Sequence, residues 1–230
     1  MTREAIILAG GLGTRLRAVV PDVPKPMAPI AGRPFLEILL TSLARKGFSR
    51  VVLSLYFMAE KVSAYFGDEF AGMQLAYVIE DQPLGTGGAV RVAMASCHND
   101  HIYVFNGDTY LDLEVAEVEK QWQQQRSPII VGREVEDTAR YGRLTVADGK
   151  VCGFAEKGTA GAGLINAGCY VLNAGQLDQF TPNTAFSLEA DYLTQAVQHT
   201  PFALFVTQGK FIDIGIPQDY QRAQIELARV

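Results

Sequence analysis

The chain has 230 residues, of which 48% are hydrophobic, and its 20 Lys and Arg residues against 25 Asp and Glu residues give a net charge of −5. This composition excludes a disordered tail and a collagen-like polymer. It also argues against a protein that grips a nucleic-acid backbone, because such a protein needs a basic face. The acidic net charge is compatible with a protein that binds small molecules carrying phosphate, since such binding requires only local positive charge.

The cysteines and the apolar segments indicate where the protein works. Cys97, Cys152 and Cys169 are odd in number and form no C-x-x-C pair, so the sequence suggests neither a disulfide framework nor a cysteine zinc site. The apolar run Ala5–Ala9 is too short for a signal peptide, and no later run approaches the roughly 20 apolar residues of a membrane span. We therefore expect a cytoplasmic protein without a membrane segment.

Apolar runs rich in Val and Ile alternate along the chain with segments of helical period. This alternation is typical of a layered α/β domain with a largely parallel sheet. The predicted strands are Ala5–Ala9, Val51–Leu55, Leu75–Ile79, Ile102–Phe105, Ile129–Arg133 and Leu204–Thr207. The predicted helices are Phe35–Lys46, Ala59–Tyr65, Gly88–Ala95, Val115–Gln125, Leu188–Gln198 and Gln218–Arg229.

The pattern changes between about Tyr141 and Leu172, where short strands are separated by turns at Asp148-Gly149 and Lys157–Gly163. This change predicts an antiparallel excursion that covers one end of the sheet. No internal repeat, Pro-rich linker or low-complexity tract divides the chain. We predict that residues 1–230 form a single α/β domain, Rossmann-like and layered, with a mostly parallel mixed sheet.

A glycine-rich loop follows the first predicted strand in the sequence LAGGLGTRLR, residues 8–17. Its glycines let the backbone point bare N–H groups at an anion, and Arg15 and Arg17 add charge that can pair with phosphate. Neither G-x-G-x-x-G nor G-x-x-x-x-G-K-[ST] is present, which disfavours a dinucleotide oxidoreductase and a P-loop NTPase. A tight strand-to-helix turn is the alternative. The predicted nucleotide-binding residues of this loop are Leu8, Ala9, Gly10, Gly11, Gly13 and Thr14.

Lys25 lies between two prolines in Pro24-Lys25-Pro26-Met27. Because proline restricts the backbone and excludes a helix interior, we predict an extended stretch that holds this lysine stiffly near the phosphate loop. An ordinary solvated loop lysine is the alternative.

LAGGLGTRLR followed by PKPM resembles the opening signature of the sugar-phosphate nucleotidyltransferases, which join a nucleoside triphosphate and a sugar 1-phosphate into a nucleotide sugar. The continuation PMAPIAGRPFLEILL is similar to the branch that includes the D-glycero-α-D-manno-heptose 1-phosphate guanylyltransferases. One departure is Ala18, where many members have proline. The resemblance implies the nucleotidyltransferase fold, with GTP and a heptose 1-phosphate as the favoured substrates.

Two carboxylates are candidate ligands for a divalent cation. Asp108 follows a predicted strand in Asn106-Gly107-Asp108, at the strand end where open α/β sheets bind ligands. Asp213 lies in an apolar setting in which an unpaired carboxylate is costly. Each alone is also compatible with an ordinary turn or capping residue. Both match the two magnesium-binding aspartates of the family, so the resemblance implies a Mg²⁺ site formed by this pair.

A second glycine-rich loop, residues 80–88, stands after a strand and before a helix, where backbone can lie against a flat base. The resemblance implies that this loop selects the nucleobase and that Gly87 approaches the nucleoside. Either Glu80 or Gln82 then reads the base edge, and a carboxylate at Glu80 is compatible with guanine. An exposed loop acid is the alternative for Glu80. Gly85 and Thr86 complete the nucleotide-binding set.

The sugar-phosphate side is implied by Glu156-Lys157-Gly158 and by the stretch from Asn166 to Tyr170. Lys157 would contact the sugar's phosphate as a point charge, and Glu156 and Asn166 would form hydrogen bonds with hydroxyl groups. Asn106 is assigned to the same sugar-phosphate substrate. No role in the site is assigned to His98, His101 or His199, and the first two are interpreted as structural or solvated. Ser187-x-Glu189 is interpreted as the start of a helix.

The implied reaction is attack by the sugar 1-phosphate on the α-phosphorus, with pyrophosphate leaving. A phosphomonoester is already largely ionised at neutral pH, since its second pKa is about 6, so no general base is needed. Catalysis then depends on positioning and charge neutralisation by Arg15, Lys25 and Asp108.

Several alternatives remain at this stage. Mannose, N-acetylmuramate or glucose 1-phosphate could be the sugar substrate, with GTP, UTP or CTP. A non-catalytic nucleotide-sugar sensor is a second alternative, although a sensor has little use for both metal carboxylates. A glycosyltransferase is a third, disfavoured because no D-x-D-like motif is evident. The sequence does not indicate an oligomeric state.

Overall fold

The computed structural model describes residues 2–11, 13, 16, 20–155 and 160–230. Ten strands form one sheet in the order β10-β11-β13-β9-β12-β7-β1-β4-β6-β5, and two short two-stranded ribbons, β14-β8 and β2-β3, accompany it. The strands are β1 (Arg3–Leu8), β2 (Pro29–Ile30), β3 (Arg33–Pro34), β4 (Phe48–Leu55), β5 (Glu69–Phe70), β6 (Met73–Ile79), β7 (His101–Asn106), β8 (Thr109–Leu111), β9 (Ile129–Val135), β10 (Arg143–Ala147), β11 (Lys150–Ala155), β12 (Gly163–Asn173), β13 (Phe202–Thr207) and β14 (Phe211–Asp213).

The sheet is mixed, with most of its strands running in one direction. The pairs β1–β4, β1–β7, β4–β6 and β9–β13 are parallel, and the remaining pairs are antiparallel. It follows that β5, β11 and β12 oppose the other seven strands of the ten. The predicted fold class, an α/β domain with a mostly parallel mixed sheet, is confirmed.

The antiparallel excursion predicted from about Tyr141 is present as β10, β11 and β12. β10 pairs with β11 along its length and also with β12, through Arg143 opposite Ile165. In the sheet, β10, β11, β13, β9 and β12 are neighbours in that order. The extra pairing of β10 with β12 therefore closes these five strands into a ring. The ring stands at one end of the sheet, as the change of pattern predicted.

In the part of the chain that the structure describes, six α-helices flank the sheet: α1 (Phe35–Arg45), α2 (Ala59–Phe66), α3 (Gly85–Ala93), α4 (Val115–Gln125), α5 (Thr194–Ala196) and α6 (Pro217–Glu226). Short 3₁₀ turns form at Lys25–Met27 and Met94–Ser96, and Leu188–Leu193 forms a π-helix that leads into α5. The helices predicted from Phe35, Ala59 and Val115 begin at those residues. The helix predicted from Gln218 begins one residue earlier, at Pro217, and the segment predicted from Leu188 begins there as the π-helix. The third predicted helix begins at Gly85, three residues before the predicted start at Gly88.

Two hydrophobic cores lie on opposite faces of the sheet. On β1, Ala5 and Ile7 join the core under α1, α2, α4 and α6, while Ile6 joins the core under α3 and the π-helix. This alternation follows from the two-residue period of a strand. The run Ala5–Ala9 is continuously apolar because both faces of this central strand are covered.

Three local expectations can be compared directly with the structure. Pro24 is extended, but the predicted extended stretch is wrong for Lys25–Met27, which forms one 3₁₀ turn with Pro26 in a first-turn position that proline tolerates. His101 is buried and structural: its two ring nitrogens face Asp100 at 2.7 Å and Glu119 at 3.0 Å. The three cysteines are unpaired.

In the described ranges, no helix is both long enough and apolar enough to cross a membrane.

Candidate active site

A cavity of about 290 Å³ opens beside the carboxyl ends of the parallel strands β1, β4 and β7. This is the edge where open α/β sheets bind ligands. Ten of the residues predicted from sequence line it: Leu8, Ala9, Gly10, Gly11, Lys25, Glu80, Gly85, Thr86, Asn106 and Asp108.

Glycines bring bare backbone to the wall of this cavity. A Cβ on Gly107 would stand 2.5 Å from the carbonyl oxygen of Leu8, which accepts a hydrogen bond from the Gly107 N–H at 3.0 Å. A Cβ on Gly10 would stand 3.3 Å from Oε1 of Glu80. Gly13 has a φ of +60°, and a Cβ there would be 2.9 Å from the Cβ of Lys25. Thr14 and Arg15 lie outside the described residues.

Lys25 and Asp108 form a close ion pair at one side of the cavity. The Lys25 Nζ lies 2.6 Å from Oδ2 of Asp108, with the lysine side chain 11% exposed and the aspartate 38% exposed. The glycine loop packs on the stem of this lysine, which fixes where the ammonium stands. An ammonium held in this way keeps further N–H donors for an anion in the cavity.

Asp213 is brought to the same place by the ribbon of β8 and β14. Asp213 stands opposite Thr109 in this ribbon, and the next residue, Ile214, donates its N–H to the carbonyl of Asp108 at 2.9 Å. Burial, and then the negative charge of Asp108, raise the pKa of Asp213 above its usual range, although the Gly215 N–H and Lys25 act in the opposite direction. The two predicted metal carboxylates therefore share one site with Lys25.

Glu80 is buried, so the alternative of an exposed loop acid is wrong. It is 9% exposed and accepts hydrogen bonds at both carboxylate oxygens, from the Ser54 hydroxyl at 2.9 Å and the Leu84 N–H at 2.9 Å. The other candidate base reader, Gln82, is exposed and lies outside the cavity wall, beside a separate hollow.

The residues Gly85, Thr86 and Gly87 form the first turn of α3 instead of a loop. Gly87 does not line the cavity: a Cβ there would stand 2.1 Å from Cε2 of Phe186, and its N–H donates to the Phe186 carbonyl at 3.0 Å. The structure thus explains Gly87 by packing. Thr86 does line the cavity, and its hydroxyl donates to Oε2 of Glu189 at 2.7 Å.

Asn106 on β7 and Asn166 on β12 both lie beside Gly168, and Asn166 stands where the β12–β9 pairing shifts register. Asn106 lines the cavity, and its Oδ1 is buried without a hydrogen-bond partner among the described residues. A Cβ on Gly168 would stand 2.5 Å from Nδ2 of Asn106, so this glycine allows β12 to come close. Asn166 lies behind the wall, where its Nδ2 donates to the Tyr170 hydroxyl at 2.7 Å. Glu156 and Lys157 lie outside the described residues.

Glu189 links α3 to β12 by hydrogen bonds next to the cavity. It accepts hydrogen bonds from Thr86 through Oε2 and from the buried Tyr170 hydroxyl through Oε1 at 2.9 Å. Ser187 caps the helix as predicted, accepting from the Ala190 N–H at 3.1 Å. The sequence pattern identified this helix start but not the inward contacts of Glu189, because its partners are distant along the chain.

Sequence reasoning also missed Ser54 and Tyr141. Ser54 lines the cavity and is the only polar side chain in the otherwise apolar run Val51–Leu55, a signal that was available. Tyr141 stands near Asp213: burial, and more weakly the charges of Asp219 and Asp213, raise its pKa, while Arg140 lowers it. Nothing in the spacing of the sequence placed Tyr141 at this site.

Comparison with known proteins gives a consistent result over almost the whole chain. The family model described as Nucleotidyl transferase matches residues 4–229. The D-glycero-alpha-D-manno-heptose 1-phosphate guanylyltransferase of Aneurinibacillus thermoaerophilus is 37% identical over 225 residues, covering 97% of this chain and 98% of the relative. The protein of the same name from Campylobacter jejuni subsp. jejuni serotype O:2 is 38% identical over 219 residues, covering 94% and 96%.

A solved structure agrees with these sequence matches. The crystal structure of HddC from Yersinia pseudotuberculosis complexed with GMP-PN has a TM-score of 0.87 and 38% identity, covering 97% of this chain and 98% of that one. The resemblance drawn from LAGGLGTRLR and PKPM is thereby confirmed. This chain belongs to the nucleotidyl transferase family.

Proposed function

We propose that the chain acts as one nucleotidyltransferase domain that transfers GMP from GTP to D-glycero-α-D-manno-heptose 1-phosphate. The products are a GDP-sugar and pyrophosphate. The observation that carries the proposal is the grouping of Lys25, Asp108 and Asp213 at one side of a glycine-walled cavity. Positive charge, paired carboxylates and bare backbone suit a reaction between phosphates.

In the proposed reaction, an oxygen of the sugar 1-phosphate attacks the α-phosphorus of GTP. A new P–O bond forms as the bond between the α-phosphorus and the bridging oxygen breaks, and that oxygen leaves with pyrophosphate. Lys25 neutralises charge on the reacting phosphates, because its ammonium is held at the cavity by Asp108 and retains free donors. Arg15 and Lys157 are proposed to contact the triphosphate and the sugar phosphate respectively.

The cation proposed for this site is Mg²⁺, held by Asp108 and Asp213. The donor set fits, because Mg²⁺ is commonly bound by one or two carboxylates together with substrate phosphates. The fit is also electrostatic, since the negative charge of Asp108 raises the pKa of Asp213 and a cation between them would offset that repulsion. When bound, Mg²⁺ supplies charge neutralisation on the phosphates.

GTP is favoured among the nucleotides because of Glu80. Its carboxylate lines the cavity, and a carboxylate can accept hydrogen bonds from both N1–H and the 2-amino group of guanine. Uracil and thymine do not offer this pair of donors. The GMP-PN complex of HddC and the names of the two bacterial relatives support the same base.

The sugar rests on similarity to the heptose enzymes, and mannose, N-acetylmuramate and glucose 1-phosphates stay as alternatives. The experiment is pyrophosphate release with Mg²⁺, in which GTP, UTP, CTP, ATP and dTTP are crossed with a panel of these sugar 1-phosphates. We expect turnover with GTP and the heptose phosphate. Turnover with another pair would keep the chemistry and reject the substrates. Nucleotide binding without turnover across the panel would favour a sensor.

A further inference from the structure

Ser54 places a hydroxyl group where a strand interior would otherwise be apolar. It is the penultimate residue of β4, it is 0% exposed, and its neighbours Val52 and Leu53 belong to the two hydrophobic cores. A buried hydroxyl is costly unless it is hydrogen-bonded. The bond that it makes is to Oε1 of Glu80, at 2.9 Å.

Each carboxylate oxygen of Glu80 accepts one hydrogen bond from the protein. Ser54 donates to Oε1, and the Leu84 N–H donates to Oε2 at 2.9 Å. The backbone of Gly10 leaves little room on the Oε1 side, since a Cβ there would stand 3.3 Å away. A carboxylate accepts about four hydrogen bonds, so each oxygen keeps acceptor capacity for a ligand. The carboxylate therefore enters the cavity wall with its rotation fixed by two donors.

Such a fixed carboxylate suits the edge of guanine that carries two adjacent donors, N1–H and the 2-amino group. Both bonds form together only if the two oxygens lie in the plane of the base. The Leu84 N–H alone holds one oxygen and leaves rotation of the carboxylate unconstrained. The Ser54 hydroxyl supplies the second point of attachment.

We propose that Ser54 is a positioning residue that sets selectivity for guanine by fixing the orientation of the Glu80 carboxylate. The proposal rests on the proposed function, because it assumes that the nucleotide is GTP. It goes further in assigning selectivity to a residue that lies behind the reading group.

The test compares GTP with ITP, whose base lacks the 2-amino group but keeps N1–H. The quantity measured is the ratio of kcat/KM for GTP to kcat/KM for ITP, with the sugar 1-phosphate saturating. A hydrogen bond to a charged acceptor contributes about a 10- to 100-fold preference, which we expect in the unaltered enzyme. Ser54→Ala should reduce the preference at least about fivefold, and Glu80→Gln should nearly abolish it.

Ser42→Ala is the matched control, because Ser42 is also buried, at 8% exposure, but lies on α1 away from the cavity wall. It should leave the ratio unchanged. Ser54→Cys, which keeps a weak donor of similar size, serves if the alanine variant does not fold. It should give an intermediate ratio.

The possible results separate the two proposals. An unaltered enzyme that uses GTP no better than ATP or UTP would reject guanine as the base, and with it the proposed function. If that enzyme prefers GTP while Ser54→Ala keeps the same GTP-to-ITP ratio within about twofold, only the role of Ser54 is overturned. A lower melting temperature without a changed ratio would then assign Ser54 a purely structural role.

Discussion

Replacing Gly87 by alanine would place a methyl group against the ring of Phe186. The added Cβ would lie 2.1, 2.3 and 2.8 Å from three ring carbons, well inside van der Waals contact. The ring cannot withdraw freely, because it stacks on Phe180 with centroids 3.9 Å apart and is 8% exposed. Its backbone is also tied to α3, since the Phe186 carbonyl accepts the Gly87 N–H.

The expected cost can be estimated from this overlap. Overpacking a well-packed core typically costs about 1–3 kcal/mol, and the better helix propensity of alanine offsets about 1 kcal/mol at most. Since the overlap is severe and several ring atoms are involved, the overpacking cost should lie at about 2–3 kcal/mol, which leaves a net destabilisation of about 1–3 kcal/mol after the offset. For a chain of this length, that corresponds to a fall in Tm of about 2–12 °C.

Thermal unfolding of Gly87→Ala beside the unaltered protein measures this cost. Gly11→Ala is the matched control, because no atom of the described residues beyond its chain neighbours lies within 4 Å of the added Cβ. The Tm of this variant should not change. Gly87→Ala combined with Phe186→Leu should recover part of the loss. A Tm within about 1 °C of the unaltered protein, with a large rise in the KM for GTP, would refute the packing explanation. It would instead support the predicted approach of Gly87 to the nucleoside.

Three other predictions follow from buried or charged groups. Tyr170→Phe removes a fully buried hydroxyl that donates to Glu189, so chemical denaturation should show a loss of about 1–3 kcal/mol, and an unchanged stability would contradict the hydrogen-bond assignment. A hydrogen bond from His101 holds the pKa of Asp100 below its usual value, so NMR titration of His101→Phe should show that pKa rising, whereas no change would reject the pairing. Burial raises the pKa of Cys97 to about 12, so the fraction of reactive thiolate, and with it the alkylation rate, should rise about tenfold for each pH unit between pH 7 and 9. An alkylation rate that levels off in that range would contradict the raised pKa.

Much of the fold could be predicted because it depends on local pattern. The central strands carry continuous apolar runs, since both faces of the sheet are covered, and α4 matches its predicted bounds Val115–Gln125. The short strands β2, β3, β5, β8 and β14 were not predicted. Each has two or three residues, too few for a periodic signal, and their pairing depends on distant segments.

The residues of the candidate site also differ in how far local sequence could predict them. The glycine loop, Lys25 and Asp108 could be predicted because each belongs to a short motif whose meaning is local. The burial of Glu80 could not, because it follows from Ser54 on another strand, 26 residues away. The packing role of Gly87 likewise comes from Phe186, far along the chain.

The most direct test of the proposed reaction is the conversion of GTP and D-glycero-α-D-manno-heptose 1-phosphate by the unaltered enzyme and by Asp108→Asn, with Mg²⁺ present. Asparagine keeps the size of the side chain, so folding and Tm should be nearly unchanged. The unaltered enzyme should give equimolar GDP-sugar and pyrophosphate, and the variant should react at a rate at least about 100-fold lower. Near-normal turnover by Asp108→Asn would contradict the proposed role of this carboxylate. The absence of any nucleotide sugar from the unaltered enzyme would contradict the proposed reaction.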